Sequence, residues 1–308
     1  MADSVLNECK KLVPPLLEDA HKGLCGRIGV IGGSVEFTGA PYFSAISALK
    51  TGADLVYVFT VTSAAPIIKS YSPELMVMPY LDAHDGVQLI TPWLKRLHSI
   101  VIGPGLGRQD TIFERLSQII SEVNNLNSQD TIQRALVFDA DGLFFLTKYL
   151  HILDDFCGDI YLTPNIMEFA YLSDAILSSD ENKLSSKFEL ISQRFGPKVT
   201  IVLKGKEDVI YCNGKILNCT YVGSNRRCGG QGDLLSGILA TFAAWSQLYK
   251  GKSTDGLTSQ YSGSILAAYG ACALTRTCNR LAFEVKHRSM LSSDMILNLQ
   301  RSFQLLFE

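Results

Sequence analysis

The sequence predicts an α/β fold: a doubly wound, mostly parallel central sheet with helices on both faces and an antiparallel hairpin late in the chain. Three observations carry this. Residues 27–59 read as strand, helix, strand, which is a βαβ unit and implies parallel pairing with a right-handed crossover. The same alternation repeats over most of the chain. It then gives way to two strand-like runs joined by Asn213-Gly214, the dipeptide suited to a tight hairpin turn.

Residues 3–22 have the period of a short amphipathic helix, interrupted or re-entered at Pro14 and Pro15. Arg27 to Ser34 is a strand ending in glycines, Phe37 to Pro41 a turn, and Tyr42 to Thr51 a helix rich in small residues. Gly52-Ala53-Asp54 closes that helix before a second buried strand, Leu55 to Phe59. Further strands are expected at Ser99–Gly103, Ala135–Asp139, Asp159–Thr163 and Val199–Leu203. Helices should follow near 109–124, near 141–149 and from about Ile166. After the hairpin of residues 208–221, helices are expected at 233–248, 260–279 and 292–306. The polar stretches 124–134, 178–187 and 250–259 read as surface loops or insertions. No linker splits the chain, so residues 1–308 are expected to be one domain, with residues 1–26 a helical extension.

Apolar content of 47% against 19% charged describes a globular chain with ample core. A formal net charge of −2 gives no reason to expect nucleic acid or an anionic membrane as partner, and no apolar run is long enough to span a bilayer. The first residues lack the apolar centre of a signal peptide. Eight cysteines without a C-x-x-C pair read as reduced thiols, so a cytoplasmic setting is expected. Five histidines are scattered without ligand spacing, which makes a zinc site unexpected.

The stretch with most chemical content is Arg226-Arg227-Cys228-Gly229-Gly230-Gln231-Gly232-Asp233. Its glycines free the backbone to approach a ligand, and Leu234, Leu235, Ile238, Leu239 and Phe242 mark one face of the helix that follows. A glycine turn entering a helix leaves unpaired N–H groups aimed outward with the helix dipole behind them, a site for phosphate. Asp233 stands at its opening, either as a general base beside that anion or as a first-turn complement to the dipole.

Four other places can carry chemistry. Gly103-Pro104-Gly105-Leu106-Gly107-Arg108 follows a strand, where open sheets bind ligands. It is a ligand loop or a tight turn, and it is not the dinucleotide fingerprint, because Arg108 replaces the third spaced glycine. Asn165 and Glu168 have capping-box spacing, and the same amide and carboxylate would suit Mg²⁺ shared with phosphates. Lys204 leaves a buried strand and either meets solvent or touches a nucleotide phosphate. Asp139 ends a strand and Asp141 caps the next helix, with a role near substrate or metal as the alternative. Gly251-Lys252-Ser253 is not a P-loop, since Ser246 occupies the leading glycine position.

The order of these motifs resembles the ribokinase-like superfamily. More narrowly, from about Arg27 onward and with Phe37-Thr38-Gly39-Ala40-Pro41-Tyr42 included, it is similar to the ATP-dependent NAD(P)H-hydrate dehydratases, in their stand-alone eukaryotic form without a preceding epimerase domain. The resemblance implies phosphorylation of the C6 hydroxyl of S-form hydrated NADH or NADPH by ATP (or ADP), then loss of phosphate to restore the reduced cofactor. It implies Asp233 as base, Gly229, Gly230, Gln231 and Gly232 as the anion hole, and Mg²⁺ held by Asn165 and Glu168, directly or through water. ATP would be lined by Lys204, Gly205, Lys206, Glu207 and Asp208 and by Gly223, Ser224, Asn225, Arg226, Arg227 and Cys228. The hydrated cofactor would meet Gly105, Gly107, Asn165, Ile166, Met167, Glu168, Phe169, Ala170, Tyr171 and Asp233. A homo-oligomer and functional pairing with a separate epimerase are compatible with it. Hydroxyethylthiazole and hydroxymethylpyrimidine kinases, which share the glycine turn and aspartate, and a non-catalytic nucleotide-binding protein are the alternatives.

Overall fold

The computed structural model describes residues 2–18, 22–177, 186–248 and 260–308. A helix, α1 (Ala2–Lys10), precedes the βαβ unit β1 (Arg27–Ile31), α2 (Gly39–Thr51), β2 (Leu55–Phe59). There follow α3 (Ala65–Tyr71), β3 (Met76–Met78), α4 (Gly86–Leu94), β4 (Ser99–Ile102), α5 (Asp110–Gln129), β5 (Ala135–Phe138) and α6 (Asp141–Lys148). The middle of the chain gives β6 (Ile160–Leu162), α7 (Ile166–Leu177), α8 (Lys187–Phe195) and β7 (Val199–Leu203). The hairpin is β8 (Asp208–Cys212) and β9 (Lys215–Cys219), and α9 (Gln231–Leu248), α10 (Gly263–Lys286), α11 (Ser292–Leu297) and α12 (Leu299–Phe307) finish it.

One sheet runs β3-β2-β1-β4-β5-β6-β7-β8-β9. Its first seven strands are parallel, and β8 and β9 add antiparallel. The parallel strands are almost continuously buried, as they must be under two helical layers, whereas edge strand β9 alternates exposed and buried positions. Asn213 and Gly214 close the hairpin with φ of 47° and 78°, both in the left-handed region its turn demands.

On one face α9 packs between α2 and α10. Small residues let α2 and α9 approach until their backbones touch: a Cβ on Gly237 would strike the Ser44 carbonyl. Ser44 and Ser236 hydroxyls bond at 3.0 Å, and Thr241 Oγ1 donates to the Ala48 carbonyl at 3.2 Å. Buried Trp245 anchors the far end of α9 by donating to the Cys25 carbonyl at 2.7 Å. The helices from α4 to α8 form a second group, with α4 against α5 and α7 between α6 and α8.

Several expected boundaries are corrected. The first helix stops at Lys10, so the two prolines lie in coil rather than within it. Pro41 sits inside the first turn of α2, where a missing N–H costs nothing, so that helix starts at Gly39. The Asn-rich segment after 124 continues α5 to Gln129, because its amides have tertiary partners. Asn127 is buried and exchanges bonds with the Arg134 backbone at 2.8 and 3.0 Å, and Asn124 accepts from Cys157 N at 2.9 Å. The last expected helix breaks in two at Asn298, whose side chain donates to the Asp294 carbonyl at 2.8 Å. The short elements α3, β3, α4 and α8 have too few residues for periodicity to single out. Most of 178–187 and all of 250–259 lie outside the described residues.

Candidate active site

The ends of β1, β4, β5, β6 and β7 open on the same edge of the sheet, and the singled-out motifs follow those strands. Chain order reverses between β1 and β4, the switch point where adjacent connections diverge and leave a crevice. The loops there are in backbone contact. Gly33 N donates to the Pro104 carbonyl at 3.0 Å, and a Cβ on Gly105, whose φ is +61°, would lie 2.8 Å from both Cβ and the carbonyl oxygen of Phe37.

Four charged side chains from four connections converge. Lys204 Nζ lies 2.8 Å from Asp139 Oδ1 and 3.8 Å from Glu168 Oε2. Asp139 is buried, and its Oδ1 also accepts from Thr163 Oγ1 at 2.9 Å. From α9, a Cβ on Gly232 would sit 3.3 Å from Lys204 Nζ and 3.7 Å from Asp139 Oδ2, so the start of the helix runs close beside this ion pair. Burial acts against the Lys204 ammonium, but Asp139 and Glu168 outweigh it and its pKa is raised. Asp233 is raised to about 7, first by loss of solvent and then by Asp139, with Lys204 opposing and Glu168 adding. Among the described residues its carboxylate accepts no hydrogen bond. Glu168 is also raised, by burial above all, against the pull of Lys204.

The turn before Asp233 has the form its glycines predict. Gly230 has φ of +92°, and the Gly230 carbonyl accepts from Leu234 N at 3.0 Å as the helix begins. The N–H groups of Gly230, Gln231, Gly232 and Asp233 donate to nothing among the described residues, so four donors open together at the positive end of an 18-residue helix. Gln231 Nε2 folds back to the Arg226 carbonyl at 3.1 Å, and Gly223-Ser224 is held by Asn279 Oδ1.

Asn165 and Glu168 form the capping box their spacing allows. Asn165 Oδ1 accepts from Met167 N and Glu168 N, both at 2.9 Å, and Glu168 Oε2 accepts from Asn165 N at 2.8 Å. Those bonds occupy the Asn165 oxygen and one carboxylate oxygen, leaving Glu168 Oε1 for a ligand. Ile166, Met167 and Tyr171 are exposed along the same rim, whereas the Phe169 ring is largely buried against Phe188 at 4.8 Å between ring centroids.

Two expectations are corrected. Asp141 does not cap α6: its Oδ2 accepts from Gly107 N at 3.0 Å and its Oδ1 from Arg108 Nε at 3.0 Å, pinning the glycine loop. Between the two aspartates Ala140 has φ of 47°, a strained value for alanine, wedged because Gly103 and Gly142 bring backbone into contact around it. Asp208 is likewise not free to line a ligand with its carboxylate. It is buried in a bidentate pair with Arg276 at 2.6 and 2.7 Å, and the same guanidinium takes the carbonyls of Lys206 and Gly205 at 2.7 and 2.9 Å. Any contact from Asp208 falls to the backbone, while Lys206 and Glu207 remain exposed. Arg276, Thr163 and Asn279 were not legible from sequence, since each is an ordinary polar residue within a strand end or helix.

This arrangement can bind a polyphosphate at the N–H cluster and Lys204 and hold a base beside the transferring group. Among the described residues no three His, Cys, Asp or Glu side chains form a metal cage.

The family model described as NAD(P)H-hydrate dehydratase matches residues 28–301. The ATP-dependent (S)-NAD(P)H-hydrate dehydratase of Danio rerio is 47% identical over 310 residues, covering 99% of this chain and 90% of its own. That of Homo sapiens is 44% identical over 308 residues, covering 99% and 85%. Among solved structures, a ribokinase-like superfamily protein from Enterococcus faecalis superposes with a TM-score of 0.77 at 22% identity, covering 99% of this chain and 95% of its own. The ADP/ATP-dependent NAD(P)H-hydrate dehydratase from Bacillus subtilis, co-crystallised with ATP and Mg²⁺, gives 0.69 at 19%, covering 98% and 97%. At these identities the structural likeness carries the fold, which is ribokinase-like.

Proposed function

This chain belongs to the NAD(P)H-hydrate dehydratase family, and from that premise we propose that it is an ATP-dependent (S)-NAD(P)H-hydrate dehydratase. It acts on hydrated NADH and NADPH with ATP, or ADP, as phosphoryl donor. The observation that carries the mechanism is the set of four N–H groups without a partner among the described residues, with the Asp233 carboxylate beside them.

Asp233 takes the proton from the C6 hydroxyl of the hydrated ring as that oxygen attacks the γ-phosphorus. The bond from the γ-phosphorus to its bridging oxygen breaks and ADP leaves. With a pKa of about 7, the carboxylate is populated at neutral pH yet is far more basic than an ordinary aspartate, as a general base should be. The N–H groups of Gly230, Gln231 and Gly232 receive the charge that spreads over the transferring phosphoryl oxygens, a preorganised donor set that needs no rearrangement. Lys204, held by Asp139, adds a fixed positive charge on the same side. The ring nitrogen then pushes phosphate off C6, a proton leaves C5, and NADH or NADPH is restored.

Mg²⁺ would be held beside the phosphates by the Glu168 and Asp139 carboxylates, directly or through water, since the capping box already occupies the Asn165 oxygen. When bound it supplies charge neutralisation on the donor phosphates. The (S) in the relatives' names supports pairing with a separate epimerase, and eight free cysteines support a cytoplasmic setting. Homo-oligomerisation is part of the same reading, supported by exposed Leu291 and Leu297, and sedimentation would test it.

The test is regeneration of the reduced-nicotinamide absorbance from hydrated NADH on adding ATP or ADP with Mg²⁺. A stable phosphorylated product without that absorbance would instead identify a small-molecule kinase.

A further inference from the structure

Ser292 opens α11, far in sequence from the glycine turn, yet it is buried directly against it. Its hydroxyl donates to the Gly229 carbonyl at 2.6 Å and lies 3.7 Å from Cys228 Sγ. A Cβ on Gly230 would stand 3.0 Å from the same hydroxyl and 2.8 Å from Phe43, so this side of the turn is closed by solid contacts. Between two glycines, a peptide unit has little of its own to stop it rotating, because neither side chain resists a flip. In a planar trans peptide the C=O of Gly229 and the N–H of Gly230 point in opposite directions. Fixing one therefore fixes the other.

We propose that Ser292 is a positioning residue for phosphoryl transfer, holding the Gly229–Gly230 peptide so that the Gly230 N–H faces the anion site. This rests on the function proposed above. Without the hydroxyl, the Gly229 carbonyl loses its partner and the peptide can turn. A flip would replace a donor by a carbonyl oxygen facing the phosphoryl group, removing attraction and adding repulsion. The loss should appear where charge is greatest, in the transition state, and hardly in ADP binding.

The experiment compares wild type, Ser292→Ala and Ser292→Thr. It measures kcat with hydrated NADH and ATP, affinity for ADP alone, and affinity for ADP with aluminium fluoride and Mg²⁺ as transition-state mimic. Ser292→Ala should lower kcat and the affinity for the fluoride complex about 10–100-fold while ADP affinity stays within about threefold, and Ser292→Thr should stay near wild type in all three. Equal loss of ADP and fluoride-complex affinity, or unchanged kcat in Ser292→Ala, would overturn the role. Should the alanine variant not fold, the Gly230 amide proton of the wild type decides: it should move strongly downfield when the fluoride complex forms, and an unmoved resonance overturns the assignment. Wild-type enzyme that binds the fluoride complex but restores no NADH would instead defeat the functional reading, leaving the turn geometry to be judged by the same affinities.

Discussion

Asp233 is subject to opposing fields: burial and two carboxylates favour its protonated form, Lys204 favours the anion, and the balance falls at about 7. Since the base must be ionised, kcat/KM should climb about tenfold per pH unit below pH 7 and level off above it. An acid-side limb with an ordinary carboxylate midpoint would exclude Asp233 as the titrating group. Asp233→Asn should cut turnover by roughly 10²–10⁴-fold while ATP binding survives. The same shift has a stability consequence. An unfolded aspartate titrates near pH 4, so between about pH 4 and 7 the folded state binds more protons and stability falls as pH rises through that window. At pH 8 the asparagine variant should therefore be more stable than wild type by on the order of 1 kcal/mol, a gap that closes below about pH 4. Thermal melts at the two pH values check this.

At the level of elements, each connection at the sheet edge depends on a second one. Arg276 on α10 holds the turn after β7 through Asp208 and two carbonyls. Replacing Arg276 with Met leaves a buried carboxylate unpaired and should cost about 3–5 kcal/mol, read as a lowered unfolding midpoint, with KM for ATP rising more than kcat falls. The turn from β5 to α6 has the opposite character. Ala140 is held at φ 47°, so Ala140→Gly should relieve strain and stabilise the protein by about 1 kcal/mol, provided Asp139 and Asp141 keep their partners. An unchanged or lower denaturation midpoint would show that the strain is compensated elsewhere.

On the scale of the whole molecule, the site is assembled by seating α9 against α2 over the sheet. Gly237 permits that approach at the Ser44 carbonyl, one helical turn beyond Asp233. Gly237→Ala should force the helices apart, costing about 1–3 kcal/mol and lowering turnover along with stability, because Asp233 and its N–H groups ride on the displaced helix. Turnover unaffected by a measurable loss of stability would show that the helix start is held independently, by the turn alone.

Much of this was legible in the sequence. Strand runs such as Leu55–Phe59 and Val199–Leu203, the Asn213-Gly214 hairpin and the glycine turn before Asp233 are local signals, set by residue type and spacing within a few positions. The capping box of Asn165 and Glu168 was local too, although its metal alternative stayed open beside it. Tertiary structure alone decided the partners across the fold. It directed Asp141 to the Gly107 loop instead of its own helix, gave Asp208 to Arg276, carried α5 through its asparagines and brought Ser292 beneath Gly229. The physical reason is range. Backbone preference and periodicity act between near neighbours, whereas a carboxylate or hydroxyl is claimed by whichever donor or acceptor the folded chain brings within about 3 Å.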